Sequence, residues 1–274
     1  MRDRRLLAVA LIAFSVAASV LLARLSVRPA WISWLPLLIF PVVTLAGCFQ
    51  NSGLLAPVFL GVKTGETIVS LTLDDGPHPD FTPRVLEILD RYGAKACFFC
   101  LGWRVERHPD LVREILARGH EVGNHSDRHL FWMSLLGPLG TRREIAAAQE
   151  KFRRAAGRAP VYYRQPLGLL NPFLGWVLWK ENLTLVGFSL LARDNRPFTP
   201  AEIAAEVGAA LRPGRILAMH DGLANRPHDR ERSVEALPLI LEEIRARGYH
   251  VVPLSELLAR CLPRSGPPHV EGDR

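Results

Sequence analysis

With 274 residues the chain can hold one sizeable domain and a short appendage. Its formal charge of +7 invites a nucleic-acid reading, but only four of the 34 basic residues are lysines and the arginines are scattered. No groove-reading motif accompanies them, so nucleic acid is set aside as a partner.

The first fifty residues are far more apolar than the rest. Residues 6–23 carry no charge and follow Arg2, Arg4 and Arg5. This stretch nearly reaches the roughly 20 residues that span a bilayer. After Arg24 and Arg28, residues 29–47 form a second apolar stretch with Trp31 and Trp34 near its start, where an interface suits them. Pro29, Pro36 and Pro41 would kink it or make it re-entrant. One or two N-terminal membrane helices are expected within residues 1–62. A cleaved signal peptide, or a lipid on Cys48 of Leu45-Ala46-Gly47-Cys48, is the alternative. If both stretches cross, the rest of the chain faces the cytoplasm, and if one crosses it faces outward, so the side stays open.

From about Lys63 short apolar runs alternate with amphipathic stretches. The pattern predicts strands at 68–73, 96–101, 121–123, 161–163, 184–188, 216–219 and 249–252. Helices are expected at 83–92, 109–118, 141–156, between the strands 161–163 and 184–188, after Thr199-Pro200, at 232–247 and from Ser255. One domain therefore covers 63–262, with a disordered tail at 263–274. Alternation of this kind argues for a parallel sheet, open or closed into a barrel. Cys97 and Cys100 form a C-x-x-C, but on a strand residues three apart point to opposite faces, which excludes chelation or a bridge.

Chemistry gathers at predicted strand ends. Asp74 and Asp75 close the first strand ahead of Gly76-Pro77, and nothing structural demands two acids there. His125 and His129 are four apart, so one helical turn would point both imidazoles the same way, toward a single metal ion. Ser126 stands where a metalloprotease would have Glu, so any general base comes from elsewhere. With one aspartate the pair makes a two-His, one-carboxylate site that leaves room for water and substrate. His220 ends another apolar strand and is a natural general acid.

Together these residues resemble the polysaccharide deacetylase family, the NodB-type domain of carbohydrate esterase family 4. Thr72-Leu73-Asp74-Asp75-Gly76-Pro77 is similar to its T-F-D-D-G-P motif, and His125-Ser126-Asp127-Arg128-His129 to its H-[ST]-x-x-H. Tyr163-Arg164-Gln165-Pro166-Leu167-Gly168 resembles the R-x-P-[YF]-G segment, and Leu217-Ala218-Met219-His220 the final L-x-L-x-H. The resemblance covers about residues 66–258 and implies a distorted (β/α) barrel. It implies that Asp75, His125 and His129 bind a divalent metal, commonly zinc. Asp74 would be general base, His220 general acid, and Arg164 the residue orienting Asp74. Pro166, Leu167 and Asp194 would contact substrate or tune the site, with a backbone N–H near Leu167 holding the oxyanion. The implied reaction removes an N-acyl group from an amino sugar in an envelope polysaccharide or a lipid-linked glycan, at the membrane of a bacterium.

Two departures from the pattern bear on the acyl group. Leu167 replaces an aromatic, and the D-x-x-D-W motif appears as Leu191-Ala192-Arg193-Asp194-Asn195. A formyl or other acyl group therefore stands beside acetyl, and a non-catalytic carbohydrate-binding protein on the same fold is the reading from another class.

Overall fold

The structure, a computed structural model, describes residues 55–222 and 231–260 and, nearer the N terminus, helical residues 14, 16–22 and 24. Most of the apolar residues 6–47, including the whole of 29–47, and the tail at 263–274 lie outside the described residues. Among the described residues no helix is long and apolar enough to cross a membrane.

Eight parallel strands form one curled sheet. In chain order they are β1 (Ile68–Asp74), β2 (Ala96–Cys100), β3 (Glu121–Asn124), β4 (Tyr162–Tyr163), β5 (Thr184–Leu185), β6 (Leu190–Leu191), β7 (Ile216–His220) and β8 (His250–Val251). The spatial order is β5-β4-β3-β2-β1-β7-β6, with β8 pairing the start of β1. All seven residues of β1 are buried, because the strand is flanked by β2 and β7 and covered on both faces. Such strands read as near-continuous apolar runs rather than alternating ones.

Within the continuously described residues from 55 onward the α-helices are α1 (Thr82–Tyr92), α2 (Gly102–Arg107), α3 (Pro109–Ala117), α4 (Pro138–Ala156), α5 (Leu174–Lys180), α6 (Pro200–Ala210), α7 (Glu231–Ala246) and α8 (Leu254–Ala259). Their punctuation is local. Prolines occupy the first turn of α1, α3, α4 and α6, where a missing N–H costs nothing. Thr199 and Glu202 form a reciprocal capping box on α6, with Thr199 N–H donating to Glu202 Oε2 at 2.8 Å. Apolar faces of the helices and one face of the sheet share a large core that includes Leu71, Leu73, Leu86, Phe98 and Leu237. Cys100 belongs to that core and Cys97 to the cluster on the opposite face, and both are free and buried, as their strand spacing predicts.

Three expectations need correction. The ladder does not close into a barrel, since β5 and β6 are its two edges, joined through residues 186–189. The strand expected at 184–188 breaks there: Val186 N–H still donates to Tyr163 O on one edge, whereas Ser189 N–H donates to Ile216 O on the other. Helix α4 starts at Pro138, three residues before the predicted Thr141, because proline is at home in a first turn. The helix α2, absent from the sequence reading, is six residues long, too short for its periodicity to register.

Candidate active site

Strand order and register bring the chemistry to one edge of the sheet, at the C-terminal ends of the strands. Asp74 pairs with Phe99 on one side and with His220 on the other. Asn124, the residue before His125, pairs with Tyr163, the residue before Arg164. Catalytic side chains of parallel barrels emerge at this same end.

Asp75 takes a left-handed backbone conformation, φ 73°, which re-aims its carboxylate relative to Asp74. The turn is tightly packed. A Cβ on Gly76 would lie 2.4 Å from Asp221 Oδ2, and one on Gly222 would lie 2.3 Å from Asp75 O. Both glycines are therefore needed where two strand-end loops nearly touch.

His125 and His129 converge, but not on a helical turn as their spacing suggested. Residues 125–129 form a loop in which Ser126 and His129 have φ of 67° and 52°. Asn124 Oδ1 accepts the Ser126 N–H at 2.8 Å and Ser126 Oγ accepts the His129 N–H at 3.1 Å. These side chain–backbone bonds replace helical ones and set the loop's curvature. The imidazole centroids lie 5.2 Å apart, and the two Nε2 atoms lie 3.5 and 3.6 Å from Asp75 Oδ1. One donor atom from each of the three buried residues falls within 4.8 Å of the others. Two imidazole nitrogens and one carboxylate oxygen make a donor set suited to a divalent cation with further positions left for water. The His125 Nδ1 atom lies 2.9 Å from Arg164 O, a contact that fits Nδ1–H as donor and leaves Nε2 for ligation. Burial brings the His125 pKa down to about 4 despite the opposing pull of Asp74 and Asp75, so the ring is neutral, as a ligand must be.

Arg164 sits in the gap between the sheet edges, 1% exposed. Its guanidinium takes over the carbonyls that the broken ladder leaves there, with Nε donating to Val186 O at 3.3 Å and Nη2 to Gly187 O at 2.9 Å. Nη1 donates to Thr72 Oγ1 and Asp74 Oδ1, both at 2.7 Å. The Phe99 ring stacks 4.1 Å from its Cζ. A buried cation with this many fixed partners locks the position of the carboxylate it holds.

His220 is held by Asp194 on the other side of β1. Its Nδ1 lies 2.8 Å from Asp194 Oδ1, while Asp194 Oδ2 accepts the His220 backbone N–H and the Ser233 hydroxyl, each at 2.9 Å. An ionised carboxylate can only accept, so Nδ1 carries a proton. Burial pulls the His220 pKa down, but Asp194, reinforced by Asp75 and Asp74, outweighs it and lifts the pKa to about 9. Next to it, burial pushes the Asp221 carboxyl up to about 7, moderated by the Thr82 hydroxyl that donates to Oδ2.

Asp74, Asp75, His125, His129, Arg164, Asp194 and His220 thus lie in one connected cluster. Pro166 is buried and opens a 3-10 turn (Pro166–Gly168), within which Leu167 has φ 59° and is 52% exposed. Thr72, Phe99, Ser233 and Asp221 were not expected at the site. Thr72 opens the motif at 72–77 and Asp221 follows the one that ends on His220, whereas Phe99 and Ser233 carry no sequence signal.

Comparison with known proteins bears on this cluster. A family model described as polysaccharide deacetylase matches residues 61–185. A peptidoglycan-N-acetylglucosamine deacetylase of Bacillus cereus is 34% identical over 200 residues, covering 72% of this chain and 91% of the relative. A chitooligosaccharide deacetylase of Sinorhizobium fredii is 36% identical, covering 68% and 89%. Among solved structures, a family 4 acetyl xylan esterase from Clostridium thermocellum in complex with a cobalt ion superposes with TM-score 0.63 at 35% identity, covering 72% and 93%. These likenesses span the strands that carry Asp74, Asp75, His125, His129 and Arg164, and over that span the chain belongs to the polysaccharide deacetylase family, as a hydrolase of carbon–nitrogen bonds other than peptide bonds.

Proposed function

We propose that this protein removes the N-acyl group, acetyl in the first instance, from an amino sugar of a bacterial envelope glycan or a lipid-linked precursor. The observation that carries the reading is the division of labour around β1. Asp74 is anchored by Arg164 beside a three-donor metal site, and a protonated His220 stands at the neighbouring strand end.

A divalent cation held by Asp75, His125 and His129, zinc in our reading, supplies Lewis acidity toward the acyl carbonyl. Asp74, fixed by Arg164, accepts a proton from the attacking water. The backbone N–H of Leu167, in its left-handed turn at the rim, is the oxyanion donor in this reading. His220 gives its proton to the nitrogen as the carbon–nitrogen bond breaks, and Asp194 stabilises the imidazolium beforehand. The products are a carboxylate and an amino sugar. Leu167, and Asn195 on the loop bearing Asp194, shape the acyl pocket with Leu191, Pro166 and Asp194. These residues support testing formyl and larger acyl groups beside acetyl.

The apolar residues 6–23 and 29–47 support attachment to the bacterial inner membrane. The test is carboxylate release from N-acetylated chitooligosaccharides, peptidoglycan and lipid-linked amino sugars by the full chain loaded with zinc. Activity that falls about 10²–10⁴-fold in Asp74→Asn, with zinc content unchanged, is the expected result for a general base. Absence of release from every substrate would overturn the reading.

A further inference from the structure

Exposed aromatic and aliphatic side chains concentrate on two adjoining segments of this chain. After His129 come Phe131 (74% exposed), Trp132 (56%) and Leu135 (84%), then Leu139 (68%) in the first turn of α4. On and before α5 come Phe173, Trp176 and Trp179, the last 71% exposed. The segments are tied together, since Asn171 Nδ2 donates to Met133 O at 3.3 Å and to Thr141 Oγ1 at 3.0 Å. Arg142 Nε also donates to Glu181 Oε1 just beyond α5, at 2.9 Å. Beneath them Met133, Leu174 and Val177 fill a core, so the outward rings are surplus to folding.

Three further observations say what covers this surface. The first is charge. The two segments carry Arg128, Arg142, Arg143 and Lys180; Arg142 is paired with Glu181 and Arg128 lies 3.7 Å from Asp127, so the outward positive charge comes chiefly from Arg143 and Lys180. The Lys180 ammonium lies 5.5 and 5.8 Å from the Trp179 and Trp176 rings, an aromatic–cation rim. The second is continuity. Leu55, eight residues after the apolar stretch 29–47, packs against the core under α5, and a Cβ on Gly175 would lie 3.1 Å from Leu55 O. The third is that the described helical residues near the N terminus also present uncovered apolar side chains, among them Phe14 (68%) and Leu21 (57%).

The geometry points to a bilayer with anionic headgroups as the occupant of this face. Trp, Phe and Leu enter the headgroup boundary while Arg and Lys meet lipid phosphate. Because Phe131 follows His129 by two residues and Phe173 follows Leu167 by six along the chain, the deacylation site would open along the membrane surface. A substrate carried on a lipid, or glycan held close to the membrane, then reaches it without leaving the interface. This inference rests on the deacylase reading for its substrate but not for its surface.

The experiment uses the full chain with Trp31→Phe and Trp34→Phe, reconstituted into phosphatidylcholine–phosphatidylglycerol vesicles with and without brominated acyl chains. Three of its four remaining tryptophans lie in the patch. Side chains seated about 5–10 Å into the headgroup boundary meet the bromines, so the larger part of the emission is expected to be quenched. Further change of Trp132, Trp176 and Trp179 to Phe, leaving Trp103, is expected to abolish the quenching. Emission that stays unquenched and water-like would overturn the proposal. So would emission that is unquenched but blue-shifted, which would place residues 29–47 or a second copy on the patch. Deacylation of a soluble chitooligosaccharide, measured on the same samples, reports the chemistry separately. Phe131→Glu with Leu135→Glu is expected to spare that activity and to lower turnover of a polyprenyl-linked amino sugar in the vesicles.

Discussion

Two imidazoles at the tips of β3 and β7, on either side of the β2–β1 pair, differ in what waits behind them. His125 backs onto a backbone carbonyl, that of Arg164, and burial drives it to the neutral form with a pKa of about 4. Burial pulls on His220 in the same direction, but a carboxylate with no exposed side-chain area stands behind its Nδ1 and lifts it to about 9. One ring is thereby available to a cation at neutral pH, and the other keeps a proton to give. The residue type is the same and the burial effect has the same sign, so the hydrogen-bond acceptor one layer out decides which role each takes.

The sharpest way to break this contrast is to remove each ring. His125→Ala is expected to lose bound zinc and at least about 10³ in kcat/KM, since a metal contributes several kcal/mol to such transition states. Metal analysis alongside kinetics checks it. His220→Asn should cost about 10²–10³ and leave stoichiometric zinc in place. Equal metal loss in both variants would dissolve the distinction. Asp194→Asn is subtler. Wild-type activity should decline on the alkaline side as His220 loses its proton near pH 9, and the variant should bring that limb toward the ordinary imidazole range, with kcat lower by on the order of tenfold.

The same pair carries a stability signature in the metal-free protein. A folded-state pKa of about 9 lies above the unfolded value of 6.5, so its contribution is complete below 6.5 and is lost as pH rises through 9. Asp221, whose pKa is raised from 3.8 to about 7, also weakens the fold as pH rises, but over the interval below 7. In denaturant titrations the advantage of wild type over His220→Gln should therefore be largest below pH 6.5 and shrink as the pH rises to 9. The smallest expected effect is Ser233→Ala. Losing one hydroxyl on Asp194 Oδ2 is worth about 1 kcal/mol and should move the alkaline limb slightly downward.

Much of the site was legible in the sequence because its members sit at strand ends, where an apolar run stops on a titratable residue. Asp74, Asp75, His125, His129, Arg164 and His220 all announce themselves in that way or through motif resemblance. Their geometry was less legible. A spacing of four suits a helix, but Asn124 and Ser126 bend the chain into a loop that brings the rings together by another route. The break at 186–189 was hidden because Val186 and Phe188 look like any strand residues. What interrupts the strand is tertiary: Arg164 needs the Val186 and Gly187 carbonyls turned toward it. Ser233 lies on α7, far along the chain from Asp194, and a lone serine in an amphipathic helix carries no signal of its own.

Strand β1 is the only described strand that pairs with three others, and both aspartates stand at its end. Its amides should be among the slowest in the molecule to exchange with solvent, since releasing them requires β2, β7 and β8 to separate together. Asp74 and Asp75 are therefore the last members of the reaction centre that heating should release, whereas His125 and His129 hang on a loop with far fewer ties. Thermal inactivation should run ahead of the loss of sheet structure by the margin at which that loop opens.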